Sequence, residues 1–215
     1  DPGTRLRDVV ELCQRFDLRG DAVLFGGSGD PRKWAFHGGK LGEERAERLL
    51  AKPYQLYVVG GFPMERLPAK IQYLILEQVA GGAGLVCCGP APCEYMTTKR
   101  RIDPLPAPLV DGVPVLDGKP PTEYTTAYRM RDGRGVWLKY EAHAVTARHS
   151  FSWRGLAEYD YWALVAGRAL LWAASREAEV SVNPAIAEGS SSVDRAQAGR
   201  ATVTLTNTSP RPLQV

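Results

Sequence analysis

Two short apolar runs, residues 56–59 (LYVV) and 84–88 (GLVCC), enclose a segment of helical periodicity closed by paired glycines, and that arrangement leaves the chain few folds to choose from. A strand that is apolar at every position must be covered on both faces, which is the habit of parallel strands with helices above and below. Between the runs, residues 67–80 place Ile71, Leu74, Ile75, Gln78 and Val79 on one side of a helix. Pro68 is tolerated in its first turn, and Gly81 and Gly82 end it. Strand, helix and strand in that order make a parallel βαβ crossover. The second strand ends in Cys87 and Cys88, at the strand end where α/β domains gather their functional groups.

The flanking sequence extends this unit. Residues 4–16 set Leu6, Val9, Val10, Cys13 and Phe16 at helical spacing, an apolar stripe expected to face a sheet. Because a strand ordinarily precedes such a helix in a doubly wound fold, the expectation is that the first strand lies upstream of Asp1 or comes from a partner segment. Residues 21–25 (DAVLF) read as the first strand present, followed by a glycine-rich turn at 26–29. Residues 40–52 read as a charged helix with Leu41, Ala46, Leu49 and Leu50 turned inward. From 90 to 122 proline recurs eight times, which predicts a long irregular excursion with a short hairpin around Asp111-Gly112. Residues 124–130 and 135–140 flank Arg131-Asp132-Gly133-Arg134 and read as a β-hairpin. A helix over 156–175 follows. Beyond it, 179–182 and 201–207 alternate as strands do, around a Gly/Ser-rich stretch at 188–192.

Bulk properties narrow the function classes. The 27 basic and 24 acidic residues are scattered, Lys99-Arg100-Arg101 being the compact basic run, so the coherent basic face that nucleic-acid binding requires is not in view. No apolar run approaches the length of about 20 residues that spans a bilayer. The cysteines Cys13, Cys87, Cys88 and Cys93 lack paired CxxC spacing, and no metal or cofactor is expected. Adjacent Cys87 and Cys88 point to opposite faces of their strand. Reduced or buried thiols are the expected state, with a Cys88–Cys93 disulfide as the alternative. A GxGxxG reading of Gly26-Gly27-Ser28-Gly29 fails, because Pro31, Arg32 and Trp34 follow where a helix should begin.

The blocks YQLYVVGGF, MERLPAKIQYLILEQVAGGAGLV and CCGP resemble the class I glutamine amidotransferase-like superfamily, with its DJ-1/PfpI and catalytically degenerate branches. RMRDGRGVWLKY and EYDYWALVAGRALLWAASRE look like the closing hairpin and helix of amidotransferase-like domains in large, often exported, bacterial multidomain proteins. The resemblance covers roughly residues 7–176. It implies an α/β, flavodoxin-like three-layer sandwich with a mostly parallel sheet over 1–176. ATVTLTN and the residues after it resemble the opening of an immunoglobulin-like β-sandwich over 177–215, expected to continue past Val215.

In active members a cysteine on a sharp strand-to-helix turn works with a histidine base and an oxyanion loop. By resemblance Cys87 falls at the nucleophile, and Gly60 and Gly61 at the oxyanion loop. The chain departs from the pattern: Leu85 stands where the motif has glycine, Pro90 and Pro92 oppose an immediate helix, and neither His143 nor His149 is followed by the histidine-x-glutamate element. Two readings follow. In one, the domain is a non-catalytic module serving domain packing, homo-oligomerisation or binding of a small polar or carbohydrate ligand, the last by analogy with the trimerisation domain of β-galactosidases. In the other, it is a cysteine hydrolase or amidotransferase using Cys87 with His143 or His149.

Further candidates come from the residues themselves. Glu65 and Glu94 are carboxylates near the ends of the strand–helix units, and His37 lies beside glycines near a strand end. Trp153 and Tyr159, grouped with Tyr161, Trp162 and Trp172, could stack on a sugar, although aromatics at helical spacing more often build core.

Overall fold

In the computed structural model, the described residues are 2–27, 30–113, 115–116, 118–139, 153–177, 180–185 and 202–207. The expected His143 and His149 lie outside them, as does the side chain of Trp153. The chain divides into two units, Asp1–Arg176 and Glu177–Val215.

The first unit runs α1 (Pro2–Arg15), β1 (Phe25–Gly26), β2 (Ala35–Phe36), α2 (Lys40–Leu50), β3 (Leu56–Gly60), α3 (Ala69–Ala80), β4 (Gly84–Gly89), α4 (Glu94–Thr97), β5 (Arg100–Ile102), α5 (Ala107–Val110), α6 (Pro121–Tyr124), β6 (Thr125–Arg129), β7 (Arg134–Lys139) and α7 (Trp153–Ala173). Five of these strands form one sheet in the order β3-β4-β7-β6-β5. β3, β4 and β7 are mutually parallel, with Val58 opposite Val86 and Val86 opposite Val136. β6 returns antiparallel to β7, and β5 antiparallel to β6. The mostly parallel sheet expected from the sequence is therefore mixed, because the hairpin at 131–133 reverses the chain beside β7.

The alternation of side chains along β4 feeds two cores. Leu85 and Cys87 join Tyr57 and Val59 of β3 beneath α2 and α3, where Ala46, Ile71, Ile75 and Val79 are buried. Val86 faces the other way, with Val136 and Leu138, against Val165, Ala169 and Leu170 of α7. Helices thus cover both faces of the sheet. Burying each such Val, Leu or Ile contributes about 1.5–3 kcal/mol before entropy is counted. Gly82, at φ 111°, carries the chain from α3 into β4 through a region that L side chains rarely occupy.

Several expectations are corrected. The strand read over 21–25 does not enter the sheet: β1 is two residues long and pairs only with β2. An aromatic group draws this segment aside, with the Phe25 ring 5.1 Å from Phe36 and 5.3 Å from Phe62, while Val23 stays exposed. β3 is the sheet edge and is only partly covered on its second face, where Leu56 packs against the core under α7 but Val58 stays 51% exposed. Leu41, expected inward, is 74% exposed: it lies five residues from buried Ala46, about 140° round a helix of 3.6 residues per turn. Gly42 takes the inward position instead, and a Cβ there would strike the His37 carbonyl. α1 packs on α7 rather than on the sheet, and Val9 and Val10 remain exposed.

The proline-rich excursion is more ordered than its composition suggests. It holds α4, α5 and α6 and supplies β5, and it is anchored by buried Met96, Leu109 and Leu116. The expected hairpin at Asp111-Gly112 is instead the end of α5, where the Asp111 carbonyl accepts from Arg168 of α7. The tight reversal lies further on, where Leu116 bridges Lys119.

In the second unit, β8 (Val180–Ala185) and β9 (Thr202–Asn207) form an antiparallel ladder from Val180 opposite Asn207 to Ala185 opposite Thr202. No helix among the described residues is long and apolar enough to cross a membrane.

Candidate functional site

The carboxyl ends of β3 and β4 gather most of the described candidates. β3 runs out through Gly60 and Gly61 into a single 3-10 turn at Met64–Arg66, and β4 runs out through Gly89 into the turn that begins α4. Glu65 stands on the first of these turns and Glu94 opens α4. The structure joins them: the Glu65 carboxylate accepts the backbone N–H of Glu94. Glu65 thus satisfies an amide at the start of α4 that has no partner within the helix. Gln72 ties the same turn to α3, donating to the Leu67 carbonyl at 2.7 Å and the Glu65 carbonyl at 3.3 Å.

Gly61 has φ 84°, and its N–H donates to the Cys88 carbonyl at 2.9 Å. That amide extends the β3–β4 ladder by one bond. Gly60, opposite Cys88 in the register, lies within the ladder.

Cys87 lies in the core beneath α2 and α3, 5% exposed, and Cys93 enters the same core from the start of α4 at 1%. Both thiols thus belong to one buried core. The neighbouring Cys93 thiol and burial raise the Cys87 pKa well above the ordinary thiol range. The neighbouring Cys87 thiol, helped by the Met96 and Tyr95 amides, lowers the Cys93 pKa against the opposing effects of burial and the Glu65 charge. The readier thiolate is therefore Cys93, which the sequence reading did not single out, and not Cys87. Its signal was present in the six-residue spacing from Cys87 across a Gly-Pro-Ala-Pro turn.

Cys88 points to the opposite face, half-buried beside the second core, where burial raises its pKa to about 12. All four cysteines are free, and the neighbour of Cys93 is Cys87 rather than Cys88. Trp137, opposite Cys87 in β7, donates its indole N–H to the Gly89 carbonyl at 3.0 Å and fixes the strand end.

The aromatic candidates of α7 are spent on packing. Arg15 of α1 lies over the Tyr159 ring at 5.9 Å and pairs with Asp160 at 2.8 Å. Trp162 packs on Tyr124 with ring centroids 5.0 Å apart, and Trp172 is buried beneath the Arg134 guanidinium. His37 is exposed on the turn before α2, its backbone N–H donating to the Leu24 carbonyl.

An open cavity of about 520 Å³ is walled by Phe25, Trp34 and Phe36 and edged by Lys40, Glu43 and Arg66. The Trp34 indole N–H is buried without a hydrogen-bond partner. Among the described residues no cluster of three or more His, Cys, Asp or Glu side chains is arranged to hold a metal ion. No protein-family model, no curated protein and no solved structure matches this chain.

Proposed function

We propose that residues 1–176 are a non-catalytic, amidotransferase-like module of a larger bacterial multidomain protein, serving domain packing, oligomerisation or the binding of a small polar or carbohydrate ligand. On this reading the domain is a flavodoxin-like three-layer sandwich, and residues 177–215 open an immunoglobulin-like sandwich. The observation that carries the proposal is the state of Cys87. A nucleophilic thiol needs access and a depressed pKa, whereas Cys87 is buried and its pKa is pushed well above the ordinary thiol range. The Gly61 amide, the expected oxyanion donor, is already bonded to Cys88. The ligand part of the proposal rests on the cavity edged by Lys40, Glu43 and Arg66, whose aromatic walls and charged rim of both signs suit a small polar ligand.

Iodoacetamide labelling of the native chain near neutral pH tests the proposal, followed by peptide mapping and an ammonia-release assay with glutamine. Cys87 is expected to stay unlabelled until the protein is denatured, with no ammonia released. Rapid native labelling of Cys87, joined to an amidase activity that Cys87→Ser abolishes, would overturn it in favour of a cysteine hydrolase.

A further inference from the structure

We propose that Arg100, Arg129 and Arg134 form a site for a compact polyvalent oxyanion, the phosphate or sulfate group of a small ligand. The three residues stand in one row across three strands: Arg100 of β5 is directly opposite Arg129 of β6, and Arg129 is directly opposite Arg134 of β7. Two residues further in, the next row is Ile102, Ala127 and Val136, which packs into the core under α7. Side chains alternate along a strand, so the arginines project on the same face as that row. The run Lys99-Arg100-Arg101 conceals the arrangement in sequence, because Arg101 is opposite Tyr128 and belongs to the other face. The row lies beside the 131–133 turn, at the amino end of β7, whereas Gly60 and Gly89 mark the carboxyl ends of the parallel strands β3 and β4. The two sites are at opposite ends of the sheet.

Like charges directly opposite in a sheet repel, at Cβ separations of about 4.5–5.5 Å, and here three come together. Arg134 is compensated within the fold. Its guanidinium lies 4.9 Å from the centre of the Trp172 ring and donates to the Trp172 carbonyl at 3.1 Å, in the last turn of α7, where carbonyls lack helical partners. Arg100 and Arg129 are exposed, and among the described residues neither has an acidic partner. Asp132, the acid of the adjoining turn, faces Arg131 at 3.8 Å. A guanidinium presents its donors as a planar fork that matches an oxyanion. Two forks on neighbouring strands can hold one phosphate or sulfate between them, and its double charge offsets their repulsion more fully than a carboxylate does. The row is also short, since inward it meets Ile102 and Ala127 and the turn beyond it carries Asp132. That length suits a compact group and not an extended polyanion, which needs a continuous basic face.

Calorimetric titration of the 215-residue chain with inorganic phosphate and with sulfate, each against chloride at matched ionic strength, tests the site. One anion should bind per chain, the tighter of the two naming the group, and Arg100→Gln or Arg129→Gln should weaken it on the order of tenfold. Urea unfolding supplies a second readout. Without a polyvalent anion, the double variant Arg100→Gln with Arg129→Gln should have a midpoint equal to or above that of the unaltered chain, because a repulsion is gone. Adding the anion should raise the midpoint of the unaltered chain and leave that of the double variant in place. Binding of neither anion, binding undiminished in the double variant, a midpoint lowered in that variant without any anion, or binding of a duplex oligonucleotide where phosphate and sulfate fail would each overturn the proposal.

Discussion

The Phe16 ring occupies the space that a side chain on Gly167 would fill, so the end of α1 is seated in a notch on α7 made by the absence of a Cβ. Arg15 secures the same contact through Asp160 and the Tyr159 ring. Together they explain how α1 is held although Val9 and Val10 stay in solvent.

Gly167→Ala tests that seat. In an isolated helix the change gains about 1 kcal/mol, but here the new methyl group meets the ring, and overpacking costs roughly 1–3 kcal/mol. A net loss of stability is expected by urea unfolding. In a Phe16→Ala background the sign should reverse, because the obstacle is gone and only the helix preference remains. Loss of stability in both backgrounds would place the cost elsewhere.

Tyr124 is 3% exposed and its hydroxyl has no hydrogen-bond partner. Such a group forfeits its hydration without compensation. Tyr124→Phe keeps the ring against Trp162 and removes the unpaired oxygen, so a gain of about 1 kcal/mol is expected in the same unfolding experiment.

Alkaline pH should destabilise the fold. The Tyr54 hydroxyl donates to Asp21 at 2.7 Å, which raises its pKa to about 12; burial raises Tyr124 and Cys88 to about 12 as well. Each group is held protonated in the folded chain above its ordinary value of 10.0 for tyrosine or 9.0 for cysteine. The stability they contribute is whole below those values and is lost as pH rises through the folded ones. Urea midpoints should therefore fall between about pH 9 and 12, and less steeply in Cys88→Ala with Tyr124→Phe.

The Glu65 charge opposes ionisation of Cys93 while its oxygen accepts the Glu94 amide. Glu65→Gln keeps an acceptor and removes the charge. Thiolate absorbance followed against pH, in a chain with Cys13 and Cys88 replaced by serine, should show Cys93 ionising at lower pH than with Glu65 present. A midpoint unchanged or raised would show that the carboxylate does not act on that sulfur.

Most helices and the core strands could be read from residue order because their signals are local. The Ile71–Ile75–Val79 stripe, the Gly81-Gly82 stop and the 131–133 turn each lie within one element or one turn. Leu41 shows where this fails: its apolar character fits an inward position until the helix phase, set by Gly42 against the His37 carbonyl, turns it outward. At the candidate site, Cys87, Glu65 and Glu94 were visible as residue types at the ends of strand–helix units. Cys93 was not singled out, because its significance lies in a sulfur neighbour across a turn and in the amides around it.

Periodicity and turn chemistry act over a few residues, so they specified the βαβ unit, the hairpin of β6 and β7, and the long α7. Sheet order, the recruitment of Arg100–Ile102 as a fifth strand, and the exclusion of Phe25–Gly26 from the sheet arose from packing between segments distant in sequence. The same packing set the protonation bias of the thiols: which sulfur keeps its proton depends on what surrounds it in space, and that environment exists only once β4, α3 and α4 have closed over Cys87 and Cys93.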